Sequence, residues 1–299
     1  MRTALAVLTD ELRRLKASGL ATVTVSDDSL DALRRAVGGA CAAPEPDADR
    51  VGAPGLAKAP AAVPETAPAA LVGESFPPCP SPFLPPGSKR ERWEALRAHV
   101  LADTVCRAHV GPGKKVVLGV GSLDAKIMFV GEAPGADEEL QGEPFVGPAG
   151  RLLTKMIQAM GLRREDVYIG NIMNWRPRLP ADADGVQYGN RPPTTAEMAY
   201  CLPYLKAQID IVAPEYLVAL GTTAAQGLLG AGKFKALGEI RGRWRDFEGR
   251  PLMVTYHPSY ILRNPINRSK RMIWEDLLRV MEKAALPISE KQRGYFSQP

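Results

Sequence analysis

The chain has 299 residues, 45% of them hydrophobic, which is enough to bury a sizeable core and excludes a wholly disordered protein. Lys and Arg number 38 against 33 acidic residues, so the net charge of +5 and a pI near 9.0 lean mildly toward polyanionic partners without selecting one. Four scattered cysteines are too few for a disulfide-built secreted domain and point to a reducing cytoplasm, the apolar run before Asp10 is too short for a signal peptide, and no run reaches the ~18 apolar residues of a membrane span.

Leu5, Leu8, Leu12 and Leu15 keep helical spacing, and Ser29 heads a second segment with Leu30, Leu33 and Val37, so residues 1–41 read as a small helical appendage. Residues 42–88 hold 12 Pro and 11 Ala with few large apolar side chains, the composition of a flexible or polyproline-like linker. From Lys89 the pattern alternates strands with helices. Strands are expected at residues 115–120, 126–132, 167–171, 216–220 and 252–256.

Residues 89–285 are therefore expected to form a three-layer α/β/α domain around a largely parallel sheet of four or five strands, followed by a tail at 286–299. A helical stripe of Leu152, Leu153, Met156, Ile157 and Met160 closes at Gly161, and a last helix carries Ile273, Leu277, Val280 and Met281. Thr194 with Glu197, and Thr223 with Gln226, have capping-box spacing. There is no internal repeat.

Three segments at expected strand ends carry polar chemistry, and such ends are where α/β sheets place ligands. Residues 129–150, FVGEAPGADEELQGEPFVGPAG, run from a strand into a glycine-rich loop with five carboxylates and one aromatic, Phe145. Residues 167–171 end in Asn171, and residues 255–263 place His257 before a Pro-Ser turn. Between Glu248 and Glu275 lie five basic residues (Arg250, Arg263, Arg268, Lys270, Arg271) and no acid, which suggests phosphate at that edge.

In this order and at these separations, GEAPGADEELQGEPFVGPAGRLL, VYIGN followed by RP, and HPSYILR resemble the family 4 uracil-DNA glycosylases over roughly residues 89–285. The resemblance implies a monofunctional enzyme that flips uracil out of DNA and hydrolyses its glycosidic bond, leaving an abasic site. Phe145 would stack on the flipped base, and Asn171 would accept from N3–H and donate to O4, a pattern that cytosine reverses. His257 would donate to uracil O2 as charge grows there.

Ala133 stands in the substrate pocket where the best-known branch has an Asp, so Glu132 and Glu138 are the joint candidates for orienting water or walling off the thymine methyl. Either could instead order the loop by accepting backbone N–H bonds. Ser259, Tyr260, Ile261, Arg263, Arg268, Lys270 and Arg271 would meet DNA, with Tyr260 and Ile261 as wedges and the cations on phosphates. Residues 179–191 have neither the His nor the basic run of a related self-trapping branch, so turnover is expected.

The resemblance also implies a 4Fe-4S cluster on four cysteines, and here the sequence departs from the family. Cys106 and Cys201 hold two places, but His109 and Trp175 stand at the others; His can replace one Cys, Trp has no ligating atom, and Cys79 in the Pro-rich segment could swing in, which leaves Cys106, His109, Cys201 and Cys79 as weak candidates for an incomplete ligand set. No cofactor is expected, with Trp175 as core. The remaining expectations are a monomer acting on uracil-containing DNA in a bacterial-type cytoplasm at the nucleoid, no membrane, and an N-terminal region that binds another protein. The alternatives are a glycosylase for hypoxanthine or xanthine, and a non-catalytic module for damaged or single-stranded DNA.

Overall fold

Side chains along a strand point alternately to its two faces, and in this protein that alternation separates two cores. The computed structural model describes residues 76–82, 84–179, 187 and 189–297. The expected N-terminal helices and most of the Pro/Ala-rich segment lie outside these residues.

The elements run α1 (Lys89–Ala102), α2 (Thr104–Ala108), β1 (Val120–Gly121), β2 (Ile127–Gly131), α3 (Ala136–Gln141), α4 (Pro148–Ala159), a 3-10 turn (Arg164–Asp166) and β3 (Tyr168–Asn171). They continue with α5 (Thr195–Val212), β4 (Tyr216–Leu220), α6 (Thr222–Leu229), α7 (Leu237–Ile240), β5 (Trp244–Phe247), β6 (Arg250–Thr255), α8 (Pro258–Arg263), α9 (Asn267–Lys283) and α10 (Glu290–Arg293). The sheet order is β1-β3-β2-β4-β6-β5, with β3, β2, β4 and β6 parallel and both edge strands antiparallel. No helix among the described residues is long and apolar enough to cross a membrane.

Met128, Val130, Leu217, Ala219, Leu252 and Val254 face one core with Leu96 and Val100 of α1 and Leu205 and Ile209 of α5. Ile127, Phe129, Val218, Leu220 and Met253 face the other, with Leu153 and Ile157 of α4 and Ile273, Leu277 and Met281 of α9. Each such side chain, fully buried, contributes roughly 1.5–3 kcal/mol. Two faces covered by helices make the three layers that the sequence implies.

Several boundaries differ from the sequence reading. The sheet has six strands: the hairpin β5–β6 turns through Glu248 and Gly249, whose φ of 50° and 81° suit a two-residue primed turn. Its outer strand is polar, with Arg245 and Asp246 exposed, and so leaves no apolar run to read. Residues 115–119 are extended but not a strand, because Val117 N–H donates to Asn174 O and Gly119 N–H to the Gln208 side chain.

Thr223 is not a cap; α6 starts at Gly221 with φ 93°, whereas Thr194 caps α5 as its spacing implies. The linker reading ends at Ser88, yet Phe76, Cys79 and Leu84 pack on the first core. The tail reading begins at 286, yet Leu286, Ile288 and Tyr295 pack on the second, and Trp274 Nε1 donates to Gln292 O at 2.6 Å. Both segments carry isolated apolar residues whose partners are distant in sequence.

The end of β6 is fixed by a buried network. Asp276 of α9 is fully buried and accepts from Thr255 Oγ1 at 2.7 Å and from Arg241 Nε and Nη2 at 3.1 and 2.8 Å. Burial pushes its carboxyl up to about 6, against the pull of Thr255 and Arg241. Asp276→Ala leaves the half-buried Arg241 uncompensated and should destabilise the fold by about 3–5 kcal/mol in urea denaturation, whereas Asp276→Leu with Arg241→Met should recover most of that loss.

Candidate active site

Four parallel strands end together. Gly131 of β2 lies opposite Asn171 of β3, and Leu220 of β4 opposite Thr255 of β6, so the three sequence motifs leave the sheet at one edge. Backbone bonds tie these exits: Ile172 N–H to Gly131 O at 3.0 Å, Met173 N–H to Glu132 O at 3.0 Å, and Gly221 N–H to Thr255 O at 2.8 Å.

Asn171 and Phe145 converge over Gly131. A Cβ at Gly131 would sit 2.4 Å from both Asn171 Oδ1 and Phe145 Cζ, so only glycine admits them. Asn171 is 7% exposed and its Oδ1 is buried without a hydrogen-bond partner, a state that costs about 1–3 kcal/mol unless a ligand donor answers it. The Phe145 ring lies 5.5 Å from that of His257, tilted by 31°. Phe145 itself has φ 55°, a left-handed conformation that costs an aromatic residue of order 1–3 kcal/mol.

His257 caps the short helix α8. Its Nδ1 takes the Ser259 backbone N–H at 3.2 Å and lies 2.8 Å from Ser259 Oγ, which leaves the ring proton on Nε2. Burial, assisted by the Arg263 charge, pushes its pKa down to about 4, so the imidazole is neutral at neutral pH. Gly221, with φ 93°, lets the chain pass this ring: a Cβ there would lie 3.0 Å from His257 Cβ.

The two candidate carboxylates separate. Burial raises the pKa of Glu132, opposed by a hydrogen bond from Thr223 and by the Arg263 charge. Glu138 accepts from the backbone N–H of Gly135, Val146 and Gly147 at 3.1, 3.1 and 3.0 Å, the loop-ordering arrangement. Ala133 is partly buried and packs on the first core. Thr223 is a site residue that its capping-box spacing disguised.

On the outer face, Arg263 and Arg268 are exposed. The other five expected DNA contacts have partners within the protein. Arg271 binds Glu275 at 2.8 Å and the carbonyls of Arg293 and Tyr295 at 2.7 and 2.9 Å, and Lys270 lies 5.8 Å over the Phe296 ring. Ile261 is 8% exposed, pointing into the second core. Tyr260 stacks on Tyr256 at 4.4 Å, and Ser259 serves His257. The exposed apolar side chains here are Leu262 and Ile266, at 48% and 60%; helical phase, invisible in so short a run, decides which residue points out.

The place expected for a cluster does not fit one. Trp175, 1% exposed, stacks with His109 at 4.8 Å and lies near Phe76 and Tyr200 at 6.2 and 6.1 Å. His109 Nδ1 lies 2.8 Å from Val105 O. Cys79, Cys106 and Cys201 are neighbours, and burial pushes all three thiols up. Among the described residues no three His, Cys, Asp or Glu side chains gather to hold a metal ion.

Fold and site together define an α/β protein that gathers an unanswered buried amide, an aromatic ring and an imidazole at the carboxyl edge of its sheet. The family model described as "Uracil DNA glycosylase superfamily" matches residues 118–278, and the chain belongs to that superfamily. It is 41% identical over 191 residues to a "Type-4 uracil-DNA glycosylase" of Thermotoga maritima, a match covering 64% of this chain and 93% of that protein. It is similar to a second, from Archaeoglobus fulgidus (43% over 155 residues; 50% and 73% covered), and to a "Type-5 uracil-DNA glycosylase" of Pyrobaculum aerophilum (30% over 177 residues; 55% and 73%).

Proposed function

We propose that this protein is a DNA-repair hydrolase that removes uracil from DNA and leaves an abasic site. The single observation that carries this reading is the unanswered Asn171 Oδ1 beside the Phe145 ring. Uracil offers an N–H at N3 and an acceptor at O4; cytosine offers neither in that place, and its binding would leave the amide buried and unpaired. Phe145 stacks on the flipped base, and the neutral His257 donates from Nε2 to O2 as the glycosidic bond breaks. A neutral donor suits this step because it shares its proton with the developing oxyanion without first having to be charged in a dry site.

Glu132 orients the attacking water, with Thr223 beside it. Outside the pocket, Arg263 and Arg268 meet phosphate, and Leu262 is the wedge that fills the emptied stack. The chemistry requires no redox centre, and we infer that the aromatic packing around Trp175 takes the place of the family's cluster. The motif order and the relatives' names support this reading.

Oligonucleotides containing uracil, hypoxanthine or xanthine, cleaved by alkali after treatment, test the activity; uracil strands alone should be cut, and no cleavage of any strand would sink the reading. His257→Ala should lose about two to three orders of magnitude in single-turnover rate, with DNA binding little changed.

The pH profile separates the two titrating groups. Glu132 must be ionised to act as base, and its pKa stands above the usual 4.5, whereas His257 stays neutral down to about 4. The rate should therefore fall as pH drops through the raised Glu132 pKa, and Glu132→Gln should be slow and lack that limb.

Anaerobically purified protein should carry far less than stoichiometric iron and sulfide and show no cluster absorbance. Trp175→Ala should lose about 3–5 kcal/mol in urea denaturation, as a buried Trp does. Stoichiometric iron that disappears in Cys106→Ala would overturn the cluster-free reading.

A further inference from the structure

The backbone that presents Phe145 is held from both sides. On its C-terminal side, Glu138 grips the N–H groups of Val146 and Gly147 at 3.1 and 3.0 Å. Beneath it lies Gly150, where a Cβ would stand 1.9 Å from Phe145 O, so α4 starts directly against this peptide. On its N-terminal side the partner is Arg164, from the 3-10 turn that precedes β3. Arg164 Nη2 donates to Pro144 O at 2.6 Å and Nη1 to Thr154 Oγ1 at 3.3 Å. Thr154 in turn donates to Gly150 O at 3.1 Å, so guanidinium, α4 and loop form one bonded unit.

Pro144 O belongs to the peptide group whose rotation sets φ of Phe145, and that φ is 55°, in the left-handed region. An aromatic residue relaxes from this region unless its neighbours over-determine it. Arg164 is part-buried, and burial lowers its pKa although Glu143 and Glu138 lie near enough to offset part of that cost. A planar fork with two fixed donors suits this clamp in a way that a lysine does not.

We propose that Arg164 is a positioning residue for base excision: it holds the Pro144–Phe145 peptide so that the Phe145 ring is preset for the flipped base. The proposal rests on Phe145 stacking on that base, as argued above. Arg164 bonds to Pro144 O and Thr154 Oγ1, beside Phe145, and to no residue given a role at the base.

A double-mutant cycle tests this in the full-length protein, read as single-turnover uracil excision at saturating enzyme, below the melting temperature of every variant. Arg164→Met should slow excision by about tenfold, within the coupling range of residues in contact, and Arg164→Lys should recover part of the loss. In a Phe145→Ala background, Arg164→Met should change the rate by less than about twofold. Equal losses in both backgrounds would overturn the clamp, as would a lowered melting temperature with no loss of rate. A Phe145→Ala enzyme as fast as the parent would instead overturn the stacking role itself, a result distinct from additivity. Should Arg164→Met fail to fold, Arg164→Lys carries the test: a partial loss of rate that vanishes in the Phe145→Ala background supports the clamp, and a rate equal to the parent's overturns it.

Discussion

Gly131 lies opposite Asn171, and Leu220 opposite Thr255, because the inner strands are parallel and stop within a residue of one another. From that alignment the site follows. A parallel strand leaves its last backbone groups at the edge, and the chain turns there into loops whose residues would otherwise be remote in sequence. One residue of slippage between β2 and β3 would turn Asn171 to the other face, and the amide would enter a core. The Asp276 network guards the same register from the far side, since it grips Thr255, two residues before His257.

Burial gives the site its electrostatics. It lifts Glu132 and lowers His257, and the Arg263 charge opposes the first shift while adding to the second. The result, at one sheet edge, is a carboxyl that burial holds above its ordinary range beside an imidazole that is uncharged at neutral pH. This pair suits hydrolysis through a transition state that is cationic at the sugar and anionic at the base. Thr223 and Ser259 are small hydroxyl residues at helix starts, and each serves one member of the pair.

Beyond the carboxyl end of β3, ring packing joins the elements that the family's cluster would join. Thiolates around iron and sulfide would join α2, the strand exit and α5 by metal bonds; Trp175, His109, Phe76 and Tyr200 join them by ring contacts. The cost falls on the polar atoms left inside, for Trp175 Nε1 and Asn174 Oδ1 have no protein partner. Phe76 contributes to this packing from the end of a segment whose composition alone reads as a linker.

By itself the sequence determined the α/β class, the inner strands, the helix ends at Thr194 and Gly161, and the three segments that leave the sheet together at Gly131, Asn171 and Thr255, because short apolar runs and glycine-rich strand exits are local signals. It also showed that His109 and Trp175 stand where the family has two cluster cysteines, since ligand chemistry is a property of residue type. The tertiary structure alone decided direction and partnership: Glu138 faces three backbone amides, Ile261 faces inward while Leu262 faces out, and Arg271 belongs to the C-terminal segment. It also brought Phe76 and Tyr295 onto the cores and Arg164 beneath Phe145. These outcomes depend on which distant groups meet, and a side chain's contribution is set by its hydrogen-bond partner and its exposure, neither of which a local run of residues specifies.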